Sequence, residues 1–349
     1  MVILTDRKGS SATPAYELVS LEKEQLTREA LQVMLSKAEN DRKNPDPGSD
    51  SFEKFVAGGG EARLRVHKGI ALRFEDRFVQ ATASGGEQEL YKEKFAALNA
   101  MRKKFPKGTV IPDRLLYLAG DDKVIGCTMP FLEGFKEFKE LAPTWTPEEA
   151  TEKLLVLHRY VVECHREDIR IGEFNWSNFG FVGDKFAFVD GLTFDIPKFP
   201  CATKFLQTID PELIDPNEEL HKDDARAWER LQPYSTDTDW FGFSHVVLAT
   251  LCTHAFKGSL LKAIESVEYG EPRIRLLRGL SIFEPGIVLG KALRLIPEAL
   301  SEPLYEHLYE VFSGKRRRGV FPEALLKDLR WTRCPSCGGM FAARSCPCG

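Results

Sequence analysis

The sequence has no large excess of charge of either sign, no long apolar run and no internal repeat. Its 48 Lys and Arg against 52 Asp and Glu leave a formal net charge of −4, so there is no electrostatic case for nucleic acid or an anionic membrane as principal partner. No stretch approaches the roughly 20 consecutive apolar residues that span a bilayer. The opening Met-Val-Ile-Leu-Thr-Asp-Arg-Lys-Gly lacks the apolar core of a secretory signal, which sets a cytoplasmic expectation. Disulfides are rare in a reducing compartment, so the 8 cysteines need another account. Cys127, Cys164, Cys201 and Cys252 lie scattered among apolar neighbours and read as reduced core residues. Cys334, Cys337, Cys346 and Cys348 crowd the last sixteen positions and are taken up below.

What is present is ordinary globular material. With 43% hydrophobic and 29% charged residues over 349 positions, the chain can build one large two-part domain or two ordinary ones. Residues 1–50 are polar, with one helical periodicity over Leu21–Ala38 and a linker-like run of charge, Pro and Gly over 39–50. From Phe52 the pattern becomes short strands around one helix. Arg63–Val66 and Ile70–Phe74 flank the tight turn His67-Lys68-Gly69. The spacing predicts a helix over Glu87–Lys103 with Leu90, Phe95, Leu98 and Met101 on one face, then strands near Arg114–Leu118 and Lys123–Met129. After Pro143 the chain is mostly helical. Thr146-Pro147 is a helix start, and Leu154, Leu157, Tyr160, Val161 and Cys164 form the buried stripe of a helix ending near Glu167. Further helices are expected near Asp237–Ala255, Ile287–Ile296, Pro303–Phe312 and Pro322–Leu329.

Between these helices lies Ile171-Gly-Glu-Phe-Asn-Trp-Ser-Asn178, followed by a hairpin of Phe179–Val182 and Phe186–Val189 about Gly183-Asp184, closed by Asp190-Gly191. Glu173, Asn178 and Asp190 are the order that phosphoryl transfer from a nucleotide uses: one acid to orient the attacking hydroxyl, then an amide oxygen and a second acid for metal ions. Upstream, Gly58-Gly59-Gly60 can let backbone amides approach phosphate closely. Arg73 in Ile70-Ala-Leu-Arg-Phe74 offers a cation for phosphates, with Lys68 as a second candidate and Glu93 as the expected carboxylate partner. Asp239 lies at the acidic start of an apolar helix, where it reads as a cap.

With these residues assembled, the chain from about Phe52 to Trp331 resembles the protein-kinase superfamily, and within it atypical bacterial and phage-type kinase-like proteins. The matching segments are the catalytic-loop-like Ile171–Asn178, the hinge-like Val124–Gly134, Asp210-Pro-Glu-Leu213 beside A-P-E, and Arg318-Gly-Val-Phe-Pro-Glu-Ala-Leu-Leu. The resemblance implies an α+β, two-lobed protein-kinase-like fold, with a β-rich N-lobe and hinge over 51–134 and a helical C-lobe over 135–331. It also implies ATP and Mg²⁺ as cofactors and a protein substrate or binding partner. In a kinase-like fold the Asp239 carboxylate would brace the backbone of the Glu173 loop. Glu173, Asn175, Asn178 and Asp190 are then the catalytic candidates, with Asn178 and Asp190 as Mg²⁺ ligands. Gly58, Gly59, Gly60, Arg73, Glu93, Met129 and Phe131 are the nucleotide-binding candidates. Three departures stand out: Glu173 where the family has Asp, Arg73 where it has Lys, and Ile171-Gly172 in place of His-Arg. Glu reaches about 1–1.5 Å further than Asp, and misplacement on the order of 1 Å can cost about 10²-fold in rate.

The terminal cysteines form two knuckles, Cys334-Pro-Ser-Cys337-Gly and Cys346-Pro-Cys348-Gly, in which Pro and Gly shape turns that aim amides at sulfur. Four thiolates are the ligand set of a structural zinc ribbon over 332–349. Three functions follow from the sequence: a Ser/Thr-type protein kinase, a nucleotide-binding or partner-binding pseudokinase, and a small-molecule kinase.

Overall fold

The computed structural model describes residues 5–7, 55–58, 62–67, 70–75, 78, 83–117, 123–201, 210–213, 234–255, 259–260, 280–285, 287–288, 293–313 and 318–349. The expected Leu21–Ala38 helix, the 39–50 linker, Gly59, Gly60 and Lys68 lie outside them. The architecture is mixed, with small antiparallel sheets and several helices, compatible with the α+β class. The chain divides into two compact units. The first comprises Met1–Lys104, Thr109–Gly134 and Val189–Leu192; the second comprises Phe105–Gly108, Phe135–Phe188 and Thr193–Gly349.

The first unit is built on a six-stranded antiparallel sheet in the order β1-β5-β6-β4-β3-β2. Its strands are β1 Thr5–Arg7, β2 Phe55–Gly58, β3 Ala62–His67, β4 Ile70–Glu75, β5 Arg114–Tyr117 and β6 Val124–Pro130. The edge strand β1, paired with β5, has no counterpart in the sequence reading, because three residues of Thr-Asp-Arg carry no alternation to detect. β4 pairs with β6 so that Ala71 faces Met129 and Arg73 faces Cys127. Successive side chains on a strand point to opposite faces, and this register puts Ala71, Cys127 and Met129 into one buried cluster with Phe95, Val110, Leu115 and Tyr117. The helix Gly85–Ala100 packs on that cluster and opens with a capping box, Ser84 and Glu87 exchanging side-chain and backbone hydrogen bonds. Such a cap is worth about 1 kcal/mol. The buried face of the helix is Gln88, Phe95 and Leu98, with Tyr91 partly buried against the cluster. Leu90, expected on that face, is 55% exposed: with Phe95 and Leu98 setting the stripe, position 90 falls on the far side of the turn.

The second unit is mainly helical. Pro147–Arg166 starts with the Thr146–Glu149 capping box and Pro at its first position, and buries Leu154, Leu157, Tyr160, Val161 and Cys164 as the spacing predicts. Thr236–Leu251 is buried on nearly every side, the pattern of a core helix. A three-stranded antiparallel sheet is formed by β7 Phe135–Glu137, β8 Phe179–Val182 and β9 Lys185–Phe188, with the β8–β9 turn at Gly183 in positive φ. The Arg294 guanidinium donates to the carbonyls of Ala142, Trp145 and Thr250, tying two loops to the end of the core helix. Several expected helices are shorter. Thr236–Leu251 stops before Ala255, and only Ala324–Lys327 is helical within Pro322–Leu329. Ile287–Val288 pair as β11 with β10 Ser259–Leu260, which replaces the start of a predicted helix: two β-branched residues after Gly286 favour an extended backbone.

Candidate functional site

In the second unit the segment after Pro147–Arg166 is fixed from below by one carboxylate. Asp239 lies in the first turn of Thr236–Leu251, where the helix end favours negative charge, and its side chain is fully buried. Its Oδ2 accepts from the Ile171 amide at 2.7 Å, and its Oδ1 accepts from the Gly172 amide at 2.9 Å. His165 Nε2 lies 2.8 Å from Oδ2. A buried carboxylate is tolerable when its oxygens receive several such bonds. Asp239 therefore does brace this loop. His165, which the sequence reading missed, joins it from the last turn of the preceding helix.

Gly172 is required by the same geometry. Its φ is +71°, and a Cβ there would meet Cys201 Cβ at 2.8 Å. Beyond it, Phe174 packs against Gly242 of the core helix, where an added Cβ would lie 2.7 Å from the ring. With Phe174 and Trp176 buried, the alternate residues carry the polar chemistry. Glu173 Oε1 accepts from Asn175 Nδ2 at 3.3 Å, and Asn175 Oδ1 accepts from the Ser177 amide at 3.0 Å. The Asn178 amide donates to the Asn175 carbonyl at 2.8 Å, closing the turn. Glu173 is 9% exposed, and Asn175 and Asn178 are half-buried. The loop also carries Arg170, whose Nε donates to Asp195 Oδ1 at 2.6 Å beside a two-way backbone bridge.

In the first unit Arg73 has two carboxylates. Its Nε meets Glu75 Oε1 at 2.8 Å and its Nη1 meets Asp190 Oδ1 at 2.8 Å. All three side chains are at most 17% exposed. Tyr91 on Gly85–Ala100 donates to the same Glu75 oxygen at 3.4 Å. Burial pulls the Arg73 pKa down, but Asp190 and then Glu75 outweigh it and leave it well above its usual value, so the guanidinium is charged. Burial pushes the Cys127 thiol up to about 12 and the Tyr91 phenol well above its usual value, so both are neutral neighbours. The expected Arg73–Glu93 pair is corrected: Glu93 is exposed on its helix, and among the described residues the ion pairs of Arg73 are with Glu75 and Asp190. Two residues along one strand share a face, a proximity that a search for a helix acid overlooks.

Of the other candidates, Gly58 ends β2 opposite Arg63. Met129 is buried in the first unit's core, and Phe131 packs partly buried against it. The A-P-E-like segment forms a short 3₁₀ turn at Pro211–Leu213. Just before it, the fully buried Asp210 carboxylate meets Arg318 Nη2 at 2.6 Å, and the Arg318 guanidinium lies over the Phe241 ring at 5.1 Å.

At the C-terminus, β12 Thr332–Arg333 pairs with β13 Met340–Phe341, bringing the two knuckles together. Cys334, Cys337, Cys346 and Cys348 have sulfurs all within 4.8 Å of one another. Cys334 to Cys348 and Cys337 to Cys346 are each 3.6 Å. That is far from a disulfide bond of about 2.05 Å and close to the edge of about 3.8 Å in a tetrahedron with metal–sulfur bonds of about 2.3 Å. The set can hold a metal ion such as zinc. Amides of Cys337 and Ser336 lower the Cys334 thiol to about 6, the direction that favours a thiolate ligand. The amides of Ala342 and Ala343 both donate to the Ala299 carbonyl, at 2.7 and 3.2 Å, which ties the ribbon to the rest of the second unit. The other cysteines in the chain, Cys127, Cys164, Cys201 and Cys252, are buried and outside any disulfide. Among the described residues no helix is long and apolar enough to cross a membrane. Comparison of the chain with models of known protein families finds no match, and comparison with curated proteins finds none either.

Proposed function

We propose that this chain is a protein-kinase-like phosphotransferase that uses ATP and Mg²⁺ to modify a protein hydroxyl. The observation that carries this reading is the buried Asp239 carboxylate on the Ile171 and Gly172 amides. Phosphoryl transfer is catalysed by positioning and electrostatics, and a loop held by a core helix presents Glu173, Asn175 and Asn178 in one geometry. Glu173 orients the acceptor hydroxyl. Asn178 and Asp190 each offer the hard oxygen donor that Mg²⁺ prefers, and the Arg73 fork suits phosphate oxygens. When bound, the nucleotide supplies the phosphoryl group, and Mg²⁺ neutralises the charge developing on it. The four cysteines hold zinc, and a set filled by sulfur leaves no open position, so its role is structural.

A second reading, a nucleotide-binding pseudokinase adaptor without turnover, draws on one observation: Glu173 is largely buried and bonded to Asn175 while Asp190 is engaged by Arg73. Incubation of the protein with labelled ATP and Mg²⁺ separates the readings, using a generic protein acceptor in one arm and aminoglycoside or choline acceptors in another. Label on protein supports the kinase. Label on small acceptors alone makes it a small-molecule kinase. An ATP-dependent rise in melting temperature without transfer leaves the adaptor, and the absence of both overturns all three. Glu173→Asp raises turnover if reach limits it, and Asp190→Asn removes the Mg²⁺ dependence of nucleotide binding.

A further inference from the structure

The partly buried ion cluster of the first unit assigns different work to its two acids. One cation, Arg73, meets two carboxylates, Glu75 and Asp190, at 2.8 Å each. The neutral Cys127 thiol sits across the ladder from Arg73, and the neutral Tyr91 phenol contacts Glu75, so neither offers the cation a competing anion. Glu75 takes Nε and Asp190 takes Nη1, which leaves a guanidinium with its stem side anchored on its own strand and its outer edge toward an acid that can change partners. Five N–H donors in a rigid plane make such one-sided anchoring effective.

We propose that Glu75 is the positioning residue for Arg73, holding it by Nε so that its Nη edge can pass from Asp190 to the phosphates of a nucleoside triphosphate once a divalent cation takes Asp190. This rests on the phosphotransferase reading. Because both members of the pair lie on β4, the cation's position does not depend on an acid of the Gly85–Ala100 helix.

The test is binding of ATP with Mg²⁺, and of adenosine, to the full chain by calorimetry. Glu75→Gln weakens ATP about tenfold or more and leaves adenosine within twofold, whereas Glu93→Gln leaves both within twofold. In an Arg73→Gln background Glu75→Gln adds nothing further, which a general loss of structure would not produce. Should Glu75→Gln fail to fold, Glu75→Asp, which keeps the charge and shortens the reach, lowers ATP binding with adenosine unchanged. ATP binding by Glu75→Gln equal to wild type, loss caused instead by Glu93→Gln, or additivity with Arg73→Gln overturns the proposal while the phosphotransferase reading stands. A wild-type chain that binds neither ATP nor adenosine overturns both.

Discussion

Two carboxylates, the fully buried Asp239 in the second unit and the partly buried Asp190 in the first, are bonded in different ways. Asp239 takes two backbone amides and an imidazole; Asp190 meets the tip of an arginine side chain. Backbone donors cannot turn away without unfolding the loop that carries them. A guanidinium at the end of four rotatable bonds can. The first arrangement fixes a loop; under the proposed function, the second leaves a charge that a ligand can claim.

The largest effect should come from Asp239→Ala, which leaves two buried amides without an acceptor. At about 1–3 kcal/mol for each unsatisfied group, we expect the second unit to lose about 4 kcal/mol in urea unfolding. A loss under 1 kcal/mol would erase the contrast with Asp190. Next is Gly172→Ala, which must hold a positive φ against Cys201. Backbone strain of this kind costs about 1–3 kcal/mol, read as a lower urea midpoint at unchanged slope. Chelating the metal should release the Ala342 and Ala343 amides from Ala299. We expect a fall of about 3 °C in melting temperature, from about 1–2 kcal/mol spread over a chain of this size, and the same fall in Cys334→Ser without chelator. An unchanged transition would make the ribbon an independent tail.

The smallest effect is a pH dependence. Burial, with some help from His254, pushes His245 down to about 3, and burial also lowers His158. The unfolded chain therefore binds these protons first. Stability present above about pH 6.5 is lost as pH falls, and between pH 7 and 5.5 His245 alone accounts for about 1 kcal/mol. Urea melts at the two pH values, with His245→Phe flattening the difference, check the sign.

The legible parts were those set by local chemistry. Thr146-Pro147 announced a helix start because the cap and the proline act within one turn. The stripe from Leu154 to Cys164 needed only a period of 3.6. Tail cysteine spacing pointed to a four-sulfur cluster because the ligands lie within sixteen positions. Asp239 as a brace came from the kinase resemblance, since an acid at the start of an apolar helix by itself reads only as a cap. Illegible were the facts that depend on register and on what packs where. Leu90 is apolar yet exposed, and Ile287–Val288 found a strand partner in β10. His165 gives no sequence sign that it will meet an acid 74 positions away. The grouping of 105–108 with the second unit and of 189–192 with the first cannot be seen in a linear division.

Sequence alone therefore determined the helix starts, the buried stripes, the cysteine cluster and the order of acids and amides from Glu173 to Asp190, since each is a matter of neighbours or short periods. Tertiary structure decided which acid Arg73 holds. The strand face places Glu75 beside it, β4–β6 pairing places a neutral thiol across from it, and Asp190 reaches it from 117 positions further along the chain. No local rule contains that choice, because the free energy of a buried charge depends on every group around it and not on its place in the chain.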